Sequence, residues 1–159
     1  MTEEIPCFKI PVTICLSEAY SKYACYEFGY KYFQLKKAIY DIDRFNSIYN
    51  ECLEKAKLAY ETQNIPKLHI NHQHIYNSNS NNDEANSLQH MILTIFPSSF
   101  MIMTTQMGSF IIIAYSWKEF LLCDPSSLYS ICGTSEYLID YINTKYSNVE
   151  EIKCFHMLK

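Results

Sequence analysis

The run FMIMTT at residues 100–105 and the run SFIIIAY at residues 109–115 decide the fold of this chain. Both runs are rich in β-branched and aromatic residues, and Gly108 lies between them, so together they predict a β-hairpin. The second run is apolar at almost every position, which is typical of a central strand covered on both faces. A third predicted strand, Phe120–Cys123, ends at Asp124-Pro125. The second half of the chain is therefore predicted to be built on an antiparallel sheet.

Helical patterns dominate the first half of the chain. Residues 43–62 carry apolar side chains at spacings of three and four, which predicts an amphipathic helix with Asp43 as its N-cap. Residues 15–33 predict an earlier helix with an interruption near Gly29. Pro66 marks the chain's exit from the second helix.

Two further helices are predicted in the second half. Residues 135–146 favour a closing helix with Thr134 or Ser135 as its cap. A short helix suits the apolar spacing of residues 88–96 best. Helices followed by an antiparallel sheet and a final helix indicate an α+β fold.

The whole chain, residues 1–159, is predicted to be one domain, because 159 residues is a normal domain length and 48% of them are hydrophobic. It divides into a helical half at 12–65, a polar loop at 76–86, and the sheet and closing helix at 88–159. The loop is predicted from the run NSNSNN, whose residues favour exposed turns.

Composition excludes several classes of function. A net charge of −4 gives no basic surface for nucleic acid or for an anionic membrane. The longest apolar run, 109–115, is far shorter than the about 20 residues of a membrane span. With only three glycines, the chain has no phosphate-binding loop and no dinucleotide fingerprint.

Cysteine and tyrosine usage suggest a compartment and an origin. The seven cysteines form no Cys-x-x-Cys pair, and residues 1–14 lack the apolar core of a signal peptide. Reduced thiols in the cytoplasm, or in a host cytoplasm or nucleus, are the simplest explanation. The 14 tyrosines, with abundant Asn, Ile and Lys, indicate an AT-rich genome such as that of a large virus or of some protists.

A histidine-rich stretch, LHINHQH at residues 68–74, has the residue types of a metal site. On a strand, His72 and His74 would lie on one face, which suits two imidazole ligands. A third ligand is missing nearby, and the stretch adjoins the asparagine-rich run, so a solvated strand end or loop is the favoured explanation. The sequence therefore predicts no metal and no cofactor.

Cysteine offers the best candidate nucleophile. Cys15 begins the first predicted helix, where the helix dipole and unpaired N–H groups would stabilise a thiolate. Cys25 lies inside the same helix and Cys52 lies on an apolar stripe, so burial is the expected role of both. A thiol nucleophile also needs a base, usually a histidine supported by an aspartate.

The hairpin, the strand that follows it and the sequence Asp124-Pro125 resemble the large tegument protein deubiquitinase domain of herpesviruses, a papain-like cysteine peptidase. In that family such a hairpin ends in Asp-Pro-His, a closing helix follows, and a nucleophilic cysteine opens an N-terminal helix. The helix that begins at Ile42-Asp43 is also similar to a family element. The resemblance implies a papain-like fold, with Cys15 as nucleophile, Asp124 as the aspartate and Cys25 as the alternative nucleophile.

Ser126 stands where the family has its catalytic histidine, and no glutamine shortly precedes Cys15 to help form an oxyanion hole. A serine hydroxyl has no imidazole basicity, so it cannot take the proton of a thiol. The resemblance then implies a degenerate peptidase that binds a protein, either ubiquitin or a host signalling protein, with tyrosines as contact residues. Read without the family, Asp124-Pro125-Ser126 is simply a turn after a strand.

Two alternatives stay open. The chain is an active cysteine deubiquitinase if Cys15 or Cys25 finds a histidine from an unexpected position. The candidate partners are His69, His72, His74 and His156. Alternatively, it is an interaction protein without enzyme ancestry, for example a helical-bundle adaptor in which the β-rich run has been misread.

Overall fold

A computed structural model describes residues 7–12, 18–64, 70–77, 92, 99–105, 108–145 and 149–157. For residues 18, 19, 70–77, 99 and 149–157 the description covers the backbone. All statements about structure below concern these residues.

Seven strands form one antiparallel sheet. They are β1 (Phe8–Pro11), β2 (Ile70–Asn77), β3 (Ser99–Thr105), β4 (Gly108–Ala114), β5 (Phe120–Cys123), β6 (Tyr129–Gly133) and β7 (Val149–Met157). Their order across the sheet is β1-β6-β5-β4-β3-β7-β2, so β4 is the middle strand and β1 and β2 are the edges. The predicted hairpin is confirmed as β3 and β4, the predicted central strand as β4, and the predicted strand Phe120–Cys123 as β5.

Four helices accompany the sheet in the described part of the chain. They are α1 (Glu18–Tyr30), α2 (Tyr32–Lys37), α3 (Ile42–Thr62) and α4 (Ser135–Lys145). Helices α1 to α3 pack on one face of the sheet and α4 packs on the other. None of these helices is both long enough and apolar enough to cross a membrane. The α+β class is therefore confirmed.

The central strand β4 contributes to a hydrophobic core on each face of the sheet. Ile111 and Ile113 belong to the core beneath α1 to α3, whereas Phe110 and Ile112 belong to the core beneath α4. Alternating positions of a strand lie on opposite faces, so a strand covered on both sides must be apolar throughout. This is the physical reason for the unbroken apolar run that predicted it.

Helix α3 begins at Ile42, one residue before the predicted start, and its N-cap lies two residues before the predicted cap. Asp41 is its N-cap, and the Asp41 carboxylate accepts a hydrogen bond from the Arg44 backbone N–H at 3.1 Å. The predicted cap, Asp43, is wrong, because Asp43 lies within the first helical turn. The helix ends at Thr62, and Gln63 then adopts the left-handed conformation that commonly terminates helices.

The break between α1 and α2 lies at Lys31, close to the predicted interruption at Gly29. Gly29 itself lies inside α1, where the Phe100 ring packs directly against its backbone. A Cβ atom at this position would lie 2.6 Å from the Phe100 ring, so glycine is required for this close approach.

The predicted order of helices first and strands second is wrong. Strand β1 precedes every helix, and β2 precedes the asparagine-rich run yet belongs to the same sheet. Strands β6 and β7 were not predicted. The polar loop, placed at 76–86, begins too early because β2 continues to Asn77, and residues 78–86 lie outside the described residues.

The closing helix is confirmed as α4, with Thr134 as its cap, since the Thr134 hydroxyl accepts a hydrogen bond from the Tyr137 N–H at 3.3 Å. Of the short helix predicted at 88–96, only Ile92, which is helical and buried, lies within the described residues.

Candidate functional site

Asp124 is the residue on which the candidate site is built. It follows the last residue of β5 and is only 3% exposed. Its Oδ1 atom accepts two hydrogen bonds from Ser126, one from the backbone N–H at 2.9 Å and one from the hydroxyl at 2.7 Å. The Ser127 N–H donates to the Asp124 carbonyl oxygen at 3.0 Å. The predicted turn after the strand is therefore confirmed, and the aspartate side chain holds it in place.

Lys145 supplies a positive charge to the same carboxylate. Its Nζ atom lies 3.6 Å from Asp124 Oδ2 and 3.0 Å from the Tyr141 hydroxyl. The Asp124 side chain is thus engaged on both oxygens, by a hydroxyl and a backbone N–H on one side and by an ammonium group on the other. Lys145 was not predicted as a site residue, because nothing in the sequence indicates that the end of α4 meets the end of β5.

Helix α3 fixes the backbone at this position. The Tyr49 hydroxyl donates a hydrogen bond to the Asp124 carbonyl oxygen at 3.2 Å. Tyr49 is completely buried, and this burial raises its pKa well above the usual value, with a smaller contribution from the negative charge of Asp124. The neutral phenol therefore acts as a structural hydrogen-bond donor.

A small pocket of about 60 Å³ lies beside Asp124. Its walls come from the β3–β4 hairpin, the Asp124 turn and the end of α4. The lining residues are Thr105, Gly108, Ser109, Phe110, Asp124, Ser126 and Lys145. Sites for small organic ligands are usually roughly 300–1,000 Å³. This pocket can accept a few atoms, such as one side chain or a backbone segment, but not a cofactor.

Helix α1 reaches the rim of the same pocket. The Ser21 hydroxyl oxygen accepts a hydrogen bond from the Ser109 backbone N–H at 3.0 Å, and Ser109 lines the pocket. The N-terminal part of α1 thus lies next to the hairpin and near the Asp124 turn. Cys15, the favoured nucleophile, precedes the start of α1 at Glu18 and lies outside the described residues.

Cys25, the alternative nucleophile, is completely buried in the core beneath α1 to α3. Burial raises the pKa of its thiol well above the usual value, and the negative charge of Asp124 raises it further. A neutral thiol without solvent access fits the structural role expected for Cys25 and makes it a poor nucleophile. Cys52 is also buried, as its place on the apolar stripe of α3 predicts.

The structure describes no histidine side chain. His72 and His74 lie in β2 and His156 lies in β7, where the backbone is described, and His69 and His90 lie outside the described residues. Among the side chains that are described, no three His, Cys, Asp or Glu residues could hold a metal ion together.

No protein-family model matches this chain, and a search of curated proteins finds no similar protein. The site must therefore be interpreted from its own residues.

Proposed function

We propose that this chain is a papain-like domain with a degenerate peptidase centre and that it acts by binding a protein partner. One observation carries the proposal, namely the 2.7 Å hydrogen bond from the Ser126 hydroxyl to the buried Asp124 carboxylate. In the deubiquitinase domains that the sequence resembles, the residue at the position of Ser126 is the catalytic histidine. Here a hydroxyl group occupies that position and keeps the contact with the aspartate.

The chemistry of this pair supports a loss of peptidase activity. A papain-like aspartate orients an imidazole and stabilises the imidazolium that forms when the thiol loses its proton. Ser126 cannot become a cation or accept the thiol proton near neutral pH. The second oxygen of Asp124 faces Lys145, so the carboxylate neutralises an ammonium group and holds a turn.

Exposed apolar side chains along the edge strand β1 support a binding role. The Tyr40 ring lies 5.4 Å from the Phe8 ring, and Tyr40 is 71% exposed. The Val12 N–H donates to the carbonyl oxygen of Leu128, whose side chain is also exposed. We name the half-buried Phe8 and the exposed Tyr40, Ile42, Leu128 and Tyr129 the β1 surface. Aromatic side chains at such a surface are the usual anchors of protein–protein interfaces.

Ubiquitin is the first partner to test, followed by host signalling proteins. Binding of ubiquitin to the full chain is measured by biolayer interferometry for the wild type, for Tyr40→Ala and for Leu58→Ala. Leu58 is a matched control because it is similarly exposed but lies near the far end of α3. The proposal predicts that Tyr40→Ala weakens binding and that Leu58→Ala does not. Failure of the wild type to bind ubiquitin excludes this partner.

The degenerate centre is tested with an electrophilic ubiquitin probe that captures active thiols. The wild type should not react, whereas Ser126→His should restore labelling, and Cys15→Ala in the Ser126→His background should abolish it. Labelling of the wild type that is lost in Cys15→Ala would instead establish the first alternative, an active deubiquitinase with a histidine from another position.

The second alternative is an interaction protein without enzyme ancestry. Its helical-bundle version is wrong, because the described residues include a seven-stranded sheet. The more general version predicts that a folded Ser126→His variant stays unreactive towards the probe. The proposal includes a viral origin, which rests on amino-acid composition. It also includes a location in the cytoplasm, or in the host cytoplasm or nucleus, which rests on cysteine usage.

A further inference from the structure

Strands β2 and β7 bring together residues from the middle and from the C-terminal part of the sequence. They pair antiparallel at the edge of the sheet, with β2 outermost. In their register His72 is the direct partner of His156, and His74 is the direct partner of Cys154. The two pairs are separated by a single rung, Gln73 with Phe155, and the register is regular from His72 to the end of the pairing.

These four positions lie on one face of the sheet. Direct partners in an antiparallel pair share a face, and residues two apart on a strand share a face. The four Cα positions therefore form a rectangle of about 5 Å across the strands and about 7 Å along them. Ligands that start from such a rectangle can converge on one ion.

We propose that His72, His74, Cys154 and His156 form a zinc site. Three imidazoles and one thiolate are the ligand types that Zn²⁺ prefers, at distances of about 2.0–2.1 Å for nitrogen and about 2.3 Å for sulfur. Hard cations such as Mg²⁺ and Ca²⁺ prefer oxygen ligands, which this set does not offer. Structural zinc sites usually have four protein ligands, whereas catalytic sites usually have three, so a set of four such residues suits a structural zinc.

The position of the site explains what the zinc does for the fold. Met101 of β3 is the direct partner of Cys154 and is fully buried in the core beneath α4, so the four positions belong to the α4 face of the sheet. The outer strand β2 pairs with β7 alone. A zinc ion shared by the two strands would fasten β2 to the sheet at the strand pair that lies farthest from β1.

Composition argues against a chance arrangement. The chain has five histidines and seven cysteines in 159 residues, and three of those histidines and one cysteine share one face of one strand pair. The competing explanation is a pair of solvated strands with no ion. The zinc site predicts binding of one Zn²⁺ per chain and a spectrum that depends on the Cys154 thiol. Solvated strands without an ion predict neither.

Metal binding is tested on the full chain, purified with chelator and reductant, by calorimetric titration with Zn²⁺ and by absorption spectroscopy with Co²⁺. The proposal predicts one Zn²⁺ per chain, and Co²⁺ spectra with the intense visible bands of tetrahedral coordination and a thiolate-to-metal charge-transfer band. Cys154→Ser should abolish the charge-transfer band. His72→Ala with His156→Ala should weaken Zn²⁺ binding by more than the roughly 10–100-fold that loss of an outer-shell partner costs.

Three matched variants test the assignment. Gln73→Ala, one rung away on the other face of β2, should leave the affinity unchanged, as should His90→Ala, which removes a histidine outside the set. Cys7→Ser removes an exposed thiol and should leave the charge-transfer band intact. Absence of one-to-one Zn²⁺ binding by the folded wild type overturns the proposal, and so does binding that survives the double histidine variant or is lost in His90→Ala. Circular dichroism of each metal-free variant establishes that it is folded.

Discussion

The Tyr49 hydroxyl donates a hydrogen bond to the backbone carbonyl oxygen of Asp124 across 3.2 Å, and this bond joins the middle of α3 to the end of β5. The Tyr49 ring stacks on Phe28 of α1, with ring centroids 4.7 Å apart, and on Phe45 one turn earlier in α3. The packed helices therefore help to fix the position of the Asp124 backbone. Stability measurements can test how much this bond contributes.

Tyr49→Phe removes the hydroxyl and keeps the ring. We expect the free energy of unfolding to fall by about 1 kcal/mol, because the Asp124 carbonyl keeps its bond from the Ser127 N–H and loses one of two donors. Tyr23→Phe is the matched control, since the Tyr23 hydroxyl bonds to the exposed Gln63 side chain and its loss should cost less. Urea denaturation measures both, and equal costs for the two variants would contradict the proposed role of Tyr49.

Stability should fall at alkaline pH because of buried thiols. Burial raises the pKa values of Cys25, Cys52 and Cys123 in the folded chain. Above about pH 8.5 the thiols ionise in the unfolded state while they stay protonated in the folded state. The unfolded state then binds fewer protons, so each thiol lowers stability by up to about 1.4 kcal/mol per pH unit.

Urea denaturation between about pH 7 and about pH 10 checks this slope. Cys52→Ala removes one thiol and should make the slope shallower, although it lowers stability at neutral pH. A slope that is the same in wild type and Cys52→Ala would show that the Cys52 thiol does not titrate differently in the two states.

Alkylation should separate the five cysteines whose side chains the structure describes into two groups. Cys7 is exposed and should react with iodoacetamide in the folded chain. Burial keeps Cys25, Cys52, Cys123 and Cys132 protonated and inaccessible, and for Cys132 it raises the pKa to about 12. These four should react only after addition of denaturant. Peptide mass spectrometry reads each site separately, and alkylation of Cys25 in the folded chain at the rate of Cys7 would contradict its burial and revive it as a nucleophile.

The sequence predicted those elements whose apolar residues recur with one regular spacing, or whose end is marked by a strong turn-forming sequence. The unbroken apolar run of β4 and the stop at Asp124-Pro125 are of this kind, and so is the stripe of α3. Strand β1 was missed because Pro11 lies at its end, and proline is tolerated there only because β1 is an edge strand. Strand β7 was missed because charged residues interrupt its alternation.

The candidate site was predicted only where its residues are neighbours in the chain. Asp124 and Ser126 belong to one turn, so their contact follows from local geometry. Lys145 and Tyr49 reach Asp124 through tertiary packing, and no local signal marks them. The same limit applies to His72, whose strand partner His156 comes near the far end of the sequence.

Gly29→Ala should destabilise the chain through a collision with one ring. The added Cβ would lie 2.6 Å from the Phe100 ring, and Phe100 is fully buried and cannot retreat into solvent. Overpacking of this kind typically costs roughly 1–3 kcal/mol. Phe100→Leu in the same chain should relieve the collision, so the double variant should be more stable than the sum of the two single changes predicts. Additive effects in a denaturation cycle would contradict the contact.

Substitutions at Asp124 should separate its role in the turn from its charge. Asp124→Asn keeps an oxygen that can accept from Ser126, and it loses the charge pairing with Lys145, which is partly exposed and 3.6 Å away. We expect Asp124→Asn and Lys145→Gln each to cost less than about 1 kcal/mol. Asp124→Ala leaves the Ser126 N–H without its acceptor and should cost roughly 1–3 kcal/mol. If denaturation shows that Asp124→Asn costs as much as Asp124→Ala, the negative charge itself is needed at this position, and a carboxylate that only holds the turn is the wrong description.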